Sequence, residues 1–151
     1  MVKAKVYFDT SVLSAYFDER APDRQQLTQQ FWVKRLPDFE PAISTIVSSE
    51  IHDTPGANRR TEMENLVSEF EVLEFDEEAD RLAQEYVSRG IFPEKYRSDA
   101  IHVAIAVMNR IGYFVSWNFR HLVKVKTRRE INLVNALMGY EPIEIIVPPE
   151  L

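Results

Sequence analysis

The chain has 151 residues, 45% of them hydrophobic and 11% aromatic, which suits one packed domain over 1–151 rather than a disordered polymer. It has no cysteine, so disulfides and thiolate metal sites are excluded and a reducing, cytoplasmic setting is expected. A net charge of −6 argues against a general nucleic-acid-coating protein, and no apolar stretch reaches signal-peptide or membrane-spanning length.

In chain order, Lys5–Phe8 is short and β-prone and ends at Asp9, the start of a capping run Asp9-Thr10-Ser11 before a helical segment to Phe17. After a polar break, Pro22 opens a second helix reaching about Leu36, with Leu27, Phe31 and Trp32 on its apolar side and Pro37 at its end. Pro41–Ser44 reads as a strand and Thr45 to about Asp53 as a helix. Asn58–Phe70 is a polar helix, and Glu71–Phe75 alternates like a strand. Asp76 caps an amphipathic helix with Leu82, Tyr86 and Val87 inward, which stops at Gly90.

The segment Ser98–Met108 is apolar on nearly every side, as befits a helix in the middle of a domain. Ser98 is expected to cap it, with Asp99 at the first helical position, His102 one turn later and Gly112 as the terminating glycine. Tyr113–Trp117 is a continuous apolar run, expected of a strand buried on both faces. Thr127–Met138 is an amphipathic helix closed by Gly139, and Ile143–Val147 is a last strand. Strands separated by helices imply an α/β fold with a mostly parallel sheet covered on both faces.

Sites in such sheets form outside the C-terminal ends of the strands. Asp9 directly follows the first strand, where it serves as a helix cap or as a ligand. Glu50 lies at i+4 from Ile46 and i+3 from Val47, on the inward stripe of its helix. A glutamate there must be hydrogen-bonded, neutralised or bound to a cation, or else snorkel out at the edge of the stripe. Asp99 either complements a helix dipole or binds something positive. Asn118 follows the fourth strand, a common turn position. No basic residue adjoins Asp9 or Glu50 in sequence, and clustered carboxylates repel. A divalent cation removes that penalty, and oxygen-only ligands favour Mg²⁺ or Mn²⁺. The run Arg120, Lys124, Lys126, Arg128, Arg129 contains no acid, and reads equally as a solvated loop and helix start or as a phosphate-contacting patch.

Four segments, Phe8-Asp9-Thr10-Ser11, Ser48-Ser49-Glu50, Ser98-Asp99-Ala100-Ile101-His102-Val103-Ala104 and Ser116-Trp117-Asn118-Phe119-Arg120-His121, resemble in order the motifs of PIN-domain proteins, closest to the VapC-like toxin ribonucleases. The resemblance implies a three-layer fold with a five-stranded, mostly parallel sheet and metal-dependent endoribonuclease activity. It further implies Asp9, Glu50 and Asp99 as metal and catalytic residues, Asn118 in the position of a fourth acid, and Mg²⁺ or Mn²⁺ as cofactor. An amide at 118 brings no charge, so a second ion would bind more weakly. Thr10, Ser11, Arg120, Lys124 and Lys126 are the candidate RNA contacts. The implied partners are RNA, a cognate antitoxin protein and a second copy of the chain, with Tyr16, Phe17, Phe31 and Trp32 available to a dimer interface or to the core. Three other readings compete: a metal-independent nuclease using His52, His102 or His121, an aspartyl phosphatase, and a non-catalytic PIN-like module binding RNA or protein. The phosphatase would need an acid two residues after Asp9, where this chain has Ser11.

Overall fold

A computed structural model describes residues 2–151; Met1, the first residue of the expected domain, lies outside the described part. Five strands, β1 (Ala4–Phe8), β2 (Phe39–Ser44), β3 (Glu71–Leu73), β4 (Tyr113–Val115) and β5 (Glu144–Ile146), form one sheet in the order β3-β2-β1-β4-β5. Every pairing is parallel. Strand order proceeds outward from β1 in both directions, so the topological switch point lies between β1 and β4, where the register sets Phe8 against Val115. Asp9 and Ser116, the next residue of each strand, therefore leave the sheet side by side.

Seven helices make the crossovers: α1 (Thr10–Phe17), α2 (Pro22–Lys34), α3 (Thr45–His52), α4 (Ala57–Leu66), α5 (Glu77–Ser88), α6 (Arg97–Met108) and α7 (Val125–Leu137). The central strands carry fully buried Val6, Tyr7, Phe8, Phe114 and Val115, as a sheet covered on both faces requires. On α6, Ala100, Val103, Ala104, Ile105 and Ala106 are fully buried, in keeping with its all-round apolar sequence. On α2, Phe31 belongs to the core and Trp32 packs against it, whereas Leu27 is 38% exposed and does not complete the expected apolar face. The aromatics of α1 and α2 largely pack on one another: Tyr16 meets Trp32 edge-on at 5.3 Å, and Trp32 stacks on Phe70 at 5.8 Å.

Two helix ends differ from expectation. Ser98 does not cap α6. A short 3₁₀ turn, Glu94–Tyr96, runs directly into the helix, Tyr96 occupies the cap position without a side-chain bond, and Asp99 falls at the third helical position. Gly112 does not close α6 either. Arg110 takes the left-handed conformation, φ 56°, while Ile111 N–H donates to Ala106 C=O and Arg110 N–H to Val107 C=O. This is a Schellman closure with arginine where glycine is the usual occupant. Gly90 and Gly139 fill the corresponding positions after α5 and α7, each at φ 81°.

Candidate active site

The site grows from two strand-to-helix junctions. Asp9 caps α1, its Oδ1 accepting from Ser11 N–H at 3.1 Å and from the Ser11 hydroxyl at 2.5 Å. Its Oδ2 accepts from the Ser116 hydroxyl at 2.6 Å. Each serine oxygen accepts in turn from the chain leaving β4: Ser11 Oγ from Trp117 N–H and Ser116 Oγ from Asn118 N–H, both at 2.9 Å. The carboxylate is thus gripped from both strands of the switch point and is only 5% exposed. Oδ1 is fully engaged by its two donors, whereas Oδ2 retains a second lone pair.

The second junction holds Glu50. Ser44, at the end of β2, caps α3 by accepting from Val47 N–H at 3.4 Å. Its hydroxyl lies 2.8 Å from Tyr7 Oη, which lies 2.7 Å from His102 Nδ1, and His102 Nε2 lies 2.6 Å from Glu50 Oε1. The direction of this chain follows from its ends. A carboxylate only accepts, so His102 Nε2 carries the proton. In the tautomer that donates from Nε2 alone, Nδ1 accepts from the Tyr7 hydroxyl, and Tyr7 Oη accepts from Ser44. Burial drives the Tyr7 phenol far above its ordinary pKa, which keeps it a donor. Four side chains from three strand–helix units are thereby wired in one sense towards Glu50.

Burial of Asp9 pushes its carboxyl pKa up, against the bonds from Ser11 and Ser116, and the nearby Glu50 charge adds to the rise. Asp99 is raised to about 6, first by burial and then by the charge of Asp9, with a smaller push from Glu50. The three acids therefore share one electrostatic environment. Among the described residues, none of them pairs with a lysine or arginine; the only ion-pair contact they make is that of Glu50 with His102. Glu50 departs from its expected buried position: its side chain is 41% exposed, with one oxygen anchored by the buried imidazole. Ser11, a candidate RNA contact, spends its hydroxyl on Asp9 and the Trp117 amide instead. Asn118 Oδ1 accepts from His121 N–H at 2.9 Å and shapes the turn after β4. Thr10 Oγ1 is buried with no hydrogen-bond partner among the described residues, next to Asp9 in sequence. Arg120, Lys124 and Lys126 are exposed on the loop and first helical turn that follow β4.

Among the described residues no three His, Asp or Glu side chains converge as a ready-made metal cage. The donor chemistry still fits a hard cation, because Asp9 and Asp99 offer oxygen only, carry a repulsive penalty and, among the described residues, pair with no lysine or arginine. Sequence reasoning passed over Ser116, Tyr7 and Ser44. A hydroxyl at each strand end was the available signal, but only the fold brings Ser116 to Asp9 or Tyr7 to His102.

The chain has an α/β, PIN-like fold, with the acids at the C-terminal edge of a 3-2-1-4-5 parallel sheet. Among solved structures, a toxin–antitoxin complex from Klebsiella pneumoniae superimposes with a TM-score of 0.61 at 18% identity, over 81% of this chain and 93% of that one. VapC20 of Mycobacterium tuberculosis, a sarcin-ricin loop cleaving toxin, gives 0.60 at 16% identity, over 77% and 92% respectively. VapBC-5 from the same organism, a member of the VapBC family of toxin–antitoxin systems, gives 0.54 at 18% identity over 95% and 98%. No protein-family model matches the chain, and no curated protein matches it in sequence.

Proposed function

We propose that this chain is a divalent-metal-dependent endoribonuclease acting as the toxin of a toxin–antitoxin pair. The observation that carries the reading is the uncompensated acid site: Asp9 and Asp99, both with raised pKa, gathered with Glu50 at the switch point of a PIN-type sheet. Likeness of fold to VapC toxins supports the substrate class and the partner. Asp9 and Asp99 would hold Mg²⁺ or Mn²⁺, with Glu50 reaching it through water. When bound, the ion supplies charge neutralisation at the scissile phosphate and lowers the pKa of a water molecule.

The chain's own residues do the rest. Ser11 and Ser116 fix the Asp9 carboxylate so that the remaining lone pair on Oδ2 keeps one direction. His102 anchors one Glu50 oxygen, leaving the other to accept a proton from, and so orient, an attacking water. The exposed Arg120, Lys124 and Lys126 supply backbone contacts to RNA. His102 has both ring nitrogens engaged, which disfavours the metal-independent histidine mechanism.

The test is cleavage of a labelled RNA by the purified chain with Mn²⁺ or Mg²⁺ and with excess chelator, beside Asp9→Asn and Asp99→Asn. Cleavage should require the metal, leave 5′-phosphate ends and fall by at least about a hundredfold in either variant. Undiminished activity in chelator would sink the proposal. The engaged Asn118 carbonyl, and the fact that among the described residues no three acids converge as a cage, favour one second reading, a non-catalytic module. Absence of heat on titrating millimolar Mg²⁺ or Mn²⁺ would select it.

A further inference from the structure

Beside the acid site, two loops meet through their rings. Tyr96, on the turn leading into α6, and His121, on the loop after β4, stack at 3.8 Å between centroids with planes 34° apart. Both rings are half-exposed. Lys95 Nζ lies 5.1 Å from the Tyr96 ring centroid. Partial burial holds the His121 pKa down, and the positive charges of Arg120, Lys124 and Lys95 add to the fall. Among the described residues none of these three cations forms an ion pair. The loop is held in shape from within. Asn118 C=O accepts from Leu122 and Val123 N–H, and its side chain accepts from His121 N–H. The Trp117 indole donates to Thr28 at 2.9 Å. Tyr96 lies one helical turn before Asp99, so the ring pair borders the acids.

Like charges gathered around an aromatic stack, without counter-ions, match what an unpaired polynucleotide offers: a phosphate for the cations and a base face for the rings. We propose that Tyr96 and His121 form a base-stacking subsite, with Lys95, Arg120 and Lys124 taking the adjacent phosphates. A base held in a duplex keeps its own stacking neighbours and cannot join the ring pair, so the duplex serves as the control. The inference rests on the nuclease reading above and names the residues that hold an RNA base beside that site.

The experiment measures fluorescence anisotropy of a labelled ten-nucleotide RNA, single-stranded and annealed to its complement, bound to the full chain in EDTA so that no cleavage occurs. The native chain should prefer the single strand. Tyr96→Leu and His121→Ala should weaken that binding about five- to a hundredfold, the range for losing one base–aromatic stack. His121→Phe should restore it, which a merely structural role for the imidazole would not allow. The slope of log Kd against log salt should stay unchanged in the ring variants and fall by about 0.7 in Lys124→Ala. Native-like binding by both ring variants, or equal losses for single strand and duplex, would overturn the subsite while leaving metal-dependent cleavage intact. No binding of either RNA by the native chain would bring down the nuclease reading, and the subsite with it.

Discussion

Tyr7→Phe isolates the wiring behind Glu50. The phenol oxygen bridges Ser44 Oγ at 2.8 Å and His102 Nδ1 at 2.7 Å, and Ser44 and His102 are 0% and 3% exposed. Deleting that oxygen leaves His102 Nδ1 without a donor and the Ser44 hydroxyl without an acceptor, in a place water does not reach. Each stranded buried group costs about 1–3 kcal/mol, offset in part by the desolvation that Phe avoids, so the expected loss is about 2–4 kcal/mol. For a chain of this length that is a fall in Tm of about 4–16 °C, read by circular dichroism. Moving the imidazole proton to Nδ1 would exchange the unmet acceptor for an unmet donor and turn Nε2 into an acceptor facing the Glu50 carboxylate. The ring therefore loses its support at Nδ1 whichever nitrogen carries the proton, and RNA cleavage should fall together with stability. A double-mutant cycle with His102→Leu supplies the decisive number. Coupling of at least ~1 kcal/mol is expected, and additivity to within ~0.5 kcal/mol would refute the argument that the two side chains act as one unit.

In the metal-free protein, Asp99 binds its proton more tightly folded, at a pKa of about 6, than unfolded, at 3.8. Between those values the folded chain holds the proton and the unfolded chain releases it, so the Asp99 contribution to stability is lost as pH rises. Asp99→Asn should therefore be more stable than the native chain at pH 7.5 and no more stable near pH 4. Parallel Tm–pH curves would show that the acid is not strained. Arg110→Gly should stabilise the chain by about 1 kcal/mol, since the left-handed φ of 56° costs an L side chain and not glycine. An unchanged or lower midpoint in urea would contradict that.

Much of the topology was legible because helical runs alternate along the chain with short β-prone runs. Asp9 was readable as a strand-end acid for the same reason. The ends of α6 were not. The left-handed position is set by where the helix stops packing, and Arg110 occupies it although a glycine stands two residues on. Ser98 looked like a cap because nothing in the sequence says that the turn at Glu94–Tyr96 flows straight into the helix. Glu50 was placed on the inward stripe, but at the stripe's edge a fraction of a turn separates buried from half-exposed, and its stabilising contact comes from a histidine 52 residues away. Ser116 lies 107 residues from Asp9, so their bond is a property of strand order rather than of any local pattern.

The serine grip on Asp9 governs how an inactive form of this protein should be made. Alanine at position 9 would abandon two hydroxyls and an amide at the seam between neighbouring strands, and a dead, half-unravelled protein would say nothing about chemistry. Asparagine keeps a carbonyl for Ser11, while the Ser116 hydroxyl, free to rotate, can turn its oxygen towards the new NH₂. The conservative swap thereby silences the charge and spares the joint.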